Sequence, residues 1–203
     1  KQITIYPDPV ADFTFHGDVC LGESIVFTNN SSIESGNVSY TWDFDDGTPT
    51  SSQINPTHTF ASAGLFDVSL LVTSVAGGCT DLITQQVEVF AQPAASFTFS
   101  DHCFEQTATF TNTSTDAVSY LWSFGDGSQS TDASPTHDYA SPGTFVVTLE
   151  ATSANNCVDM ITQIVNVRPN PIANFTVEDT CLGTATAFTN LSTITSGPVT
   201  YSW

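Results

Sequence analysis

Basic side chains are almost missing from this sequence. Lys1 and Arg168 are the only Lys or Arg residues, against 21 Asp and Glu residues, and the net charge is −19. Because phosphate binding needs clustered Lys and Arg, this composition excludes nucleic acid as a partner and argues equally against electrostatic docking on an anionic membrane. Trypsin-like proteases find almost no cleavage site here, which suits a protein exposed to an extracellular environment.

Long hydrophobic runs and metal-binding cysteine motifs are also lacking. No apolar stretch is long enough to span a bilayer, so we expect no membrane insertion by this segment. No Cys-x-x-Cys or Cys-His cluster is present, which argues against a zinc site. His58 and His137 are not accompanied by a Ser or Cys nucleophile pattern. The sequence therefore gives no pattern for nucleophilic catalysis at these histidines.

What the chain does contain is a repeat. The stretch Tyr40-Thr-Trp42-Asp-Phe44-Asp-Asp-Gly47 returns as Tyr120-Leu-Trp122-Ser-Phe124-Gly-Asp-Gly127 and begins again at Tyr201-Ser-Trp203, a period of about 80 residues. We expect repeats over 9–91 and 92–169 and the truncated start of a further repeat over 170–203. Residues 1–8 resemble the run that closes each repeat, so we expect them to be the last strand of a preceding repeat in a longer protein.

Each repeat has the pattern of an all-β domain. Short segments rich in Val, Ile, Thr, Phe and Tyr alternate with period two and are separated by Gly, Pro, Asn and Asp. About seven such strands in 80 residues predict an antiparallel sandwich with its own core. The predicted core of the first repeat is Phe13, Ile25, Phe27, Tyr40, Trp42, Phe44, Phe66, Val68, Leu70, Val87 and Val89. The predicted core of the second repeat is Phe97, Phe110, Tyr120, Trp122, Phe124, Phe145, Val147, Leu149 and Val167.

These motifs resemble the PKD (polycystic kidney disease) domain. The resemblance rests on Trp-Asp-Phe-Asp-Asp-Gly, on Pro56-Thr-His58 and on Ala63-Gly-Leu-Phe66, with their counterparts in the second repeat. It implies tandem Ig-like β-sandwiches, and short proline-containing linkers extend these into a rod. The cysteine pair in each repeat is similar to that of large secreted surface adhesins of gliding bacteria, many of them exported by the type IX route. The resemblance therefore implies a mechanical or adhesive role at the cell surface.

Five cysteines, Cys20, Cys79, Cys103, Cys157 and Cys181, are candidates for disulfides, because two per repeat are typical of an extracellular β-protein. Two connectivities stay open. Within repeats the pairs are Cys20–Cys79 and Cys103–Cys157. If the first and last strands run the full length of a sandwich, however, the two cysteines of a repeat lie at opposite ends, and the expected pair is Cys20–Cys157 between repeats.

Three further sets of side chains have both a structural and a functional interpretation. Asp43, Asp45, Asp46 and Asp126 suggest a Ca²⁺ site, or they cap the backbone of the turns that end at Gly47 and Gly127. His58 and His137 are expected to be structural, with hydrogen bonds to nearby backbone. Trp42 and Trp122 alternate with Phe44 and Phe124, which favours burial over a sugar-binding platform.

We therefore expect a non-catalytic stalk segment of a long secreted adhesin or extracellular filament, involved in adhesion or gliding motility. The alternative is an accessory array in a secreted protease or polysaccharide-degrading enzyme. The expected partners are neighbouring repeats of the same chain and an extracellular polysaccharide or protein ligand. No cofactor is expected apart from the Ca²⁺ ion considered above.

Overall fold

The computed structural model describes residues 3–100, 102–194, 200 and 202. The chain divides into two compact units, Lys1–Gln92 and Pro93–Trp203. All regular structure in the described residues is β, which confirms the predicted fold class. No helix in this part of the chain is long and apolar enough to cross a membrane.

The first unit contains seven strands in two sheets. They are β1 (Phe13–Phe15), β2 (Val19–Cys20), β3 (Ile25–Asn29), β4 (Val38–Asp43), β5 (Thr57–His58), β6 (Gly64–Ser74) and β7 (Thr80–Phe90). One sheet has the order β1-β3-β5 and the other the order β2-β7-β6-β4. All pairs are antiparallel except β2 with β7, which are parallel with Cys20 opposite Phe90.

The second unit repeats this arrangement. Its strands are β8 (Phe97–Phe99), β9 (His102–Cys103), β10 (Ala108–Asn112), β11 (Ser119–Ser123), β12 (Gln129–Ser130), β13 (Thr136–His137), β14 (Gly143–Thr152) and β15 (Val158–Arg168). The sheets have the orders β8-β10-β13 and β12-β11-β14-β15-β9. The added strand β12 pairs with Trp122, whereas the first unit has a single bridge between Trp42 and Ser51 at this place.

The core of each unit lies between its two sheets and is mostly aromatic. Phe13 from one sheet meets Trp42 from the other at 5.0 Å between ring centroids, and Phe97 meets Trp122 at the same distance. Both tryptophans are fully buried, as predicted. The edge-to-face contacts favour one arrangement of the rings over a loosely packed core.

The predicted cores need corrections at their margins. Tyr40, Tyr120 and Phe145 are only half-buried. Phe60 and Tyr139 are buried although neither was predicted in the core. Each follows the histidine of the Pro-Thr-His motif in a stretch with no strand pattern, so alternation gave no signal. Their rings stack on those of Phe66 and Phe145 at 4.2 and 4.1 Å, closing one side of the core.

The segments outside the two predicted full repeats have less structure. Residues 170–194 contain one antiparallel hairpin, β16 (Phe175–Val177) and β17 (Phe188–Asn190), equivalent to β1 and β3. Phe175 and Phe188 are more than half exposed, whereas the equivalent Phe13 and Phe27 are fully buried. Tyr201 and Trp203 lie outside the described residues. Residues 3–8 form no strand within this chain. The prediction that residues 1–8 close a preceding repeat stays a prediction.

Candidate functional site

The most elaborate polar cluster of the first unit lies where β4 ends. The turn after Asp43 brings Asp46 beside His58, and Asp46 Oδ2 lies 2.6 Å from His58 Nε2. The other carboxylate oxygen accepts hydrogen bonds from the backbone N–H and the hydroxyl of Thr48. The His58 ring stacks on Phe44 at 3.9 Å with the planes 1° apart. One side chain, Asp46, therefore fixes both the turn and the imidazole.

The second unit repeats this cluster. Asp126 Oδ2 lies 2.7 Å from His137 Nε2, and Asp126 Oδ1 accepts from the backbone N–H of Ser128. His137 stacks on Phe124 at 4.2 Å with the planes 5° apart. Our prediction that the histidines bond to backbone is wrong in its partner, because each imidazole bonds to the carboxylate of the Asp-Gly turn. These pairs are 11 or 12 residues apart in sequence, so local spacing could not reveal them.

The two carboxylates have altered acidity. Burial by itself raises the pKa of Asp46, but the hydrogen bonds from Thr48 and His58 outweigh it, and the pKa lies below its ordinary value. The pKa of Asp126 is also lowered, because hydrogen bonds from His137 and Ser128 outweigh the effect of burial. Both groups are therefore held as carboxylates at neutral pH.

The remaining acidic residues of the predicted Ca²⁺ set also serve the turn. Asp43 accepts from the backbone N–H of Asp45, and Asp45 accepts from the backbone N–H of Asp67 on β6. Within the described part of the chain, no group of three or more His, Cys, Asp or Glu side chains is arranged to hold a metal ion. The Ca²⁺ hypothesis for Asp43, Asp45, Asp46 and Asp126 stays an untested prediction, with backbone N–H groups already occupying these carboxylates.

The tryptophans offer no exposed ring face. Trp42 and Trp122 are fully buried, and their indole N–H groups donate to the carbonyl oxygens of Gln53 and Asp132 at 2.9 and 3.0 Å. Each indole thus holds the loop that follows the Asp-Gly turn. Neither ring is placed to stack on a sugar.

A second polar set was missed by our sequence analysis. Asp81 on β7 accepts from the backbone N–H of Ala11 at 2.7 Å, and the side chain of Gln85 donates to the carbonyl of Phe13 at 2.7 Å. In the second unit, Asp159 and Gln163 hold the backbone of Ala95 and Phe97 in the same way, at 2.8 Å each. The recurring Asp-x-Ile-Thr-Gln of residues 81–85 and 159–163 was the available signal.

The cysteines of a repeat lie at opposite ends of it. Cys20 is paired with Phe90 at the end of β7, whereas Cys79 immediately precedes the start of β7. Cys20 and Cys157 are each disulfide-bonded, and Cys79, Cys103 and Cys181 are free thiols. Neither pair predicted within repeats, Cys20–Cys79 or Cys103–Cys157, is formed, because Cys79 and Cys103 carry free thiols.

A family profile matches most of the chain in two consecutive segments. The PKD domain profile matches residues 6–89 and again residues 91–169. The chain belongs to the PKD domain family. This confirms the resemblance noted from the sequence, and the two PKD repeats account for most of the chain.

Known proteins that the PKD repeats resemble include two that are proteases by name. The chain is 36% identical over 93 residues to the pre-pro-metalloprotease PrtV of Vibrio cholerae, which covers 43% of this chain and 10% of that protein. It is 40% identical over 85 residues to a microbial collagenase of Vibrio alginolyticus, covering 41% of this chain and 10% of that protein. The chain thus spans about a tenth of the length of these relatives.

A solved structure gives a similar match. The crystal structure of the PKD1 domain of the Vibrio cholerae metalloprotease PrtV is 36% identical, covers 37% of this chain and 96% of that chain, and has a TM-score of 0.35.

Proposed function

We propose that this pair of PKD repeats is a non-catalytic stalk segment of a long secreted adhesin or extracellular filament. The observation that carries the proposal is the path of the chain through each repeat. At the upstream end, where the chain enters the first repeat, Ala11 bonds to Asp81 near the start of β7. At the downstream end, where it leaves, Phe90 ends β7. An 11-residue strand spans about 36 Å, so the chain enters and leaves the first repeat at points separated by about that distance.

The internal use of the distinctive side chains supports the same proposal. Each aromatic core packs within its own repeat, and each Asp-His pair joins residues of one repeat. Gln85 and Gln163 likewise bond to the backbone of their own repeats. A module that serves extension needs a stable fold and a fixed chain path. The Asp-His pairs stabilise the turns, and the bonds from Asp81, Gln85, Asp159 and Gln163 fix the segment where the chain enters each repeat. In this proposal the stalk holds a distal adhesive region away from the cell, in attachment or in gliding.

A second candidate function is favoured by the relatives. PrtV and the Vibrio alginolyticus collagenase are proteases by name, and the chain matches about a tenth of each. In a protein of that kind, these repeats would be an accessory spacer that presents a catalytic domain, or a module that binds an extracellular polysaccharide or protein. The path of the chain through each repeat serves a spacer equally well.

The length and surroundings of the native polypeptide distinguish these functions. An antibody raised against this chain would be used to recover the native protein from intact cells and from culture medium, and its mass and peptides would be determined by mass spectrometry. We expect a very large, cell-associated polypeptide dominated by PKD repeats. A polypeptide of moderate length with an adjoining catalytic domain would contradict the stalk proposal and establish the accessory role.

A further inference from the structure

The downstream end of each PKD repeat holds a cysteine against the departing chain. In the first repeat Cys20 is paired with Phe90, and Leu21 N–H donates to the Phe90 carbonyl at 2.8 Å. The side chain of Gln92 then donates to the carbonyl of Leu21 at 3.0 Å, so the linker itself is fastened beside Cys20. In the second repeat Cys103 pairs with Arg168 in the same manner.

The upstream end of each repeat holds the other cysteine against the arriving chain. Cys79 lies just before β7, and burial, followed by the effect of Asp8 in the arriving segment, raises the pKa of its thiol. A side chain at the neighbouring Gly77 would meet Tyr6 at 2.6 Å, so the arriving chain packs closely on this loop. Cys157 holds the equivalent place, two residues before the Asp159 carboxylate that accepts from Ala95.

These positions exclude a bond between the two cysteines of one repeat. The 11 residues of β7 separate Cys20 from Cys79 by about 36 Å, and β15 separates Cys103 from Cys157 by a similar length. A disulfide requires Cα atoms within about 7 Å. While the sheet is intact, no rotation of the cysteine side chains can bring the two sulfur atoms of one repeat within bonding distance.

We propose that Cys20 and Cys157 are bonded to one another, so that the downstream cysteine of one repeat is joined to the upstream cysteine of the next. Both are disulfide-bonded. Cys20 lies beside Phe90, where the chain leaves the first repeat, and Cys157 lies two residues before Asp159, which bonds to Ala95 where the chain enters the second repeat. The three cysteines without such a partner in this chain are the free thiols. In a longer array the same rule joins Cys79 to the repeat before it and Cys103 to the repeat after it.

The bond forms by oxidation of two thiols. Each thiol loses a proton, the pair loses two electrons, and one sulfur–sulfur bond forms. The electrons reduce the disulfide of a thiol–disulfide oxidoreductase in an oxidising secretory compartment to its dithiol, or in vitro they reduce oxidised glutathione to two thiols. The cross-link does not depend on the stalk function proposed above, although it would serve that function.

The cross-link changes how the chain responds to tension. Pulled from its ends, a chain joined between Cys20 and Cys157 passes the load through the disulfide, and residues 21–156 cannot be drawn out. Those residues include most of both PKD repeats. The stalk would then lose folded structure under load without gaining much length.

Peptide mapping tests the connectivity. A protease that cleaves before aspartate leaves each of the five cysteines on its own peptide, because an Asp lies between every neighbouring pair. The intact chain, folded in a glutathione redox buffer and alkylated without reduction, should give the Cys20 peptide joined to the Cys157 peptide and alkylated Cys79, Cys103 and Cys181. A Cys20–Cys79 or Cys103–Cys157 linkage, or five alkylated cysteines, would overturn the proposal.

Single-molecule stretching tests the mechanical consequence. Reduction should lengthen the fully extended chain by roughly 480 Å, since it releases the 137 residue-to-residue steps from Cys20 to Cys157 at about 3.5 Å each. Without reductant, Cys20→Ser should already have the extended length of the reduced wild-type chain. Cys79→Ser is the matched control and should keep the shorter extended length of the oxidised wild-type chain. Equal contours for oxidised and reduced wild-type chains would contradict the cross-link, and tryptophan fluorescence verifies that each variant is folded.

Discussion

Residues 45 and 125 occupy the same place in the Asp-Gly turn but carry different side chains. Asp45 has a φ of 59° and Gly125 a φ of 82°, so both lie in the left-handed region. At position 125 an added Cβ would lie 2.6 Å from the carbonyl oxygen of Val146, whereas Asp45 uses its carboxylate to accept from the backbone of Asp67. The first repeat thus accommodates a side chain that the second repeat excludes.

We expect Gly125→Ala to lower the free energy of unfolding of the second repeat by more than about 2 kcal/mol, combining left-handed strain with a backbone clash. Gly127→Ala is the control, since its φ is 97° but nothing lies within 4 Å of the added Cβ. It should cost only about 1–2 kcal/mol from the strain. Urea unfolding of both variants measures the difference, and equal losses would mean that the Val146 backbone moves aside.

Tyr139 makes the second repeat sensitive to alkali. Burial, and secondarily the charge of Asp126, raise the pKa of Tyr139 to about 12 from an ordinary value of 10.0. The pKa of Tyr139 is higher in the folded than in the unfolded protein, so its protonated hydroxyl contributes to the free energy of unfolding. That contribution is fully present below pH 10 and is lost as the pH rises toward 12. Thermal unfolding between pH 9 and 11 should therefore show a falling transition temperature that Tyr139→Phe abolishes.

The Tyr139→Phe variant has an internal reference in the first repeat, where Phe60 holds the same position. At neutral pH the variant loses the hydrogen bond from the Tyr139 hydroxyl to the Phe124 carbonyl and should be about 1 kcal/mol less stable. Unchanged alkaline sensitivity in the variant would mean that another group titrates there.

Asp46 and Asp126 make both repeats sensitive to acid. Their pKa values are lowered in the folded protein, so their contribution to stability is present above the ordinary value of 3.8 and is lost as the pH falls through the folded pKa. The double variant Asp46→Asn with Asp126→Asn should be less stable at neutral pH and should flatten the decline below pH 4, measured by urea unfolding at several pH values. Asp138→Asn, at an exposed position, is the control for the substitution itself and should change stability at neutral pH by less than about 0.5 kcal/mol.

At the scale of elements, the last long strand of each repeat has a divided inner face. Toward the downstream end of β7, Val87 and Val89 are buried in the core. Toward the upstream end, Asp81 and Gln85 instead bond to the backbone of the first strand and its approach. The upstream half of β7 is thus held to the other sheet by polar contacts, and its downstream half is held by apolar packing in the core.

Gln85 and Gln86 provide a matched pair for testing that role. Gln85→Ala removes the donor to the Phe13 carbonyl and should destabilise the first repeat by about 1–3 kcal/mol, because a partly buried acceptor loses its partner. Gln86 faces solvent and bonds to the exposed Asp67, so Gln86→Ala should change stability by less than about 0.5 kcal/mol. Similar losses in urea unfolding would show that Gln85 contributes little to holding the sheets together.

At the scale of the whole molecule, the scarcity of basic residues has a consequence that does not depend on folding. Trypsin requires Lys or Arg, and Arg168 is followed by Pro169, which blocks cleavage there. We expect trypsin to leave the chain essentially intact on a denaturing gel even in urea. An Asp-specific protease should digest the urea-unfolded chain rapidly and the native chain slowly. Rapid tryptic fragmentation would contradict the prediction.

Local patterns in the sequence determined the repeat, the all-β class and the burial of Trp42 and Trp122. Alternation and turn chemistry act over a few residues, and repetition within the chain shows which patterns matter, so these predictions were confirmed. The same reasoning identified the opposite ends for Cys20 and Cys79, because strand direction alone places them.

Tertiary structure decided which distant groups meet. The pairing of His58 with Asp46, the burial of Phe60 and Tyr139, and the bonds from Asp81 and Gln85 to the first strand join residues that are 12 to 72 positions apart or lie in segments without a period. Such contacts depend on which strand lies across from which, and on how the loops close over the core. Those arrangements are fixed only when the two sheets pack, so no local pattern of residues could give them.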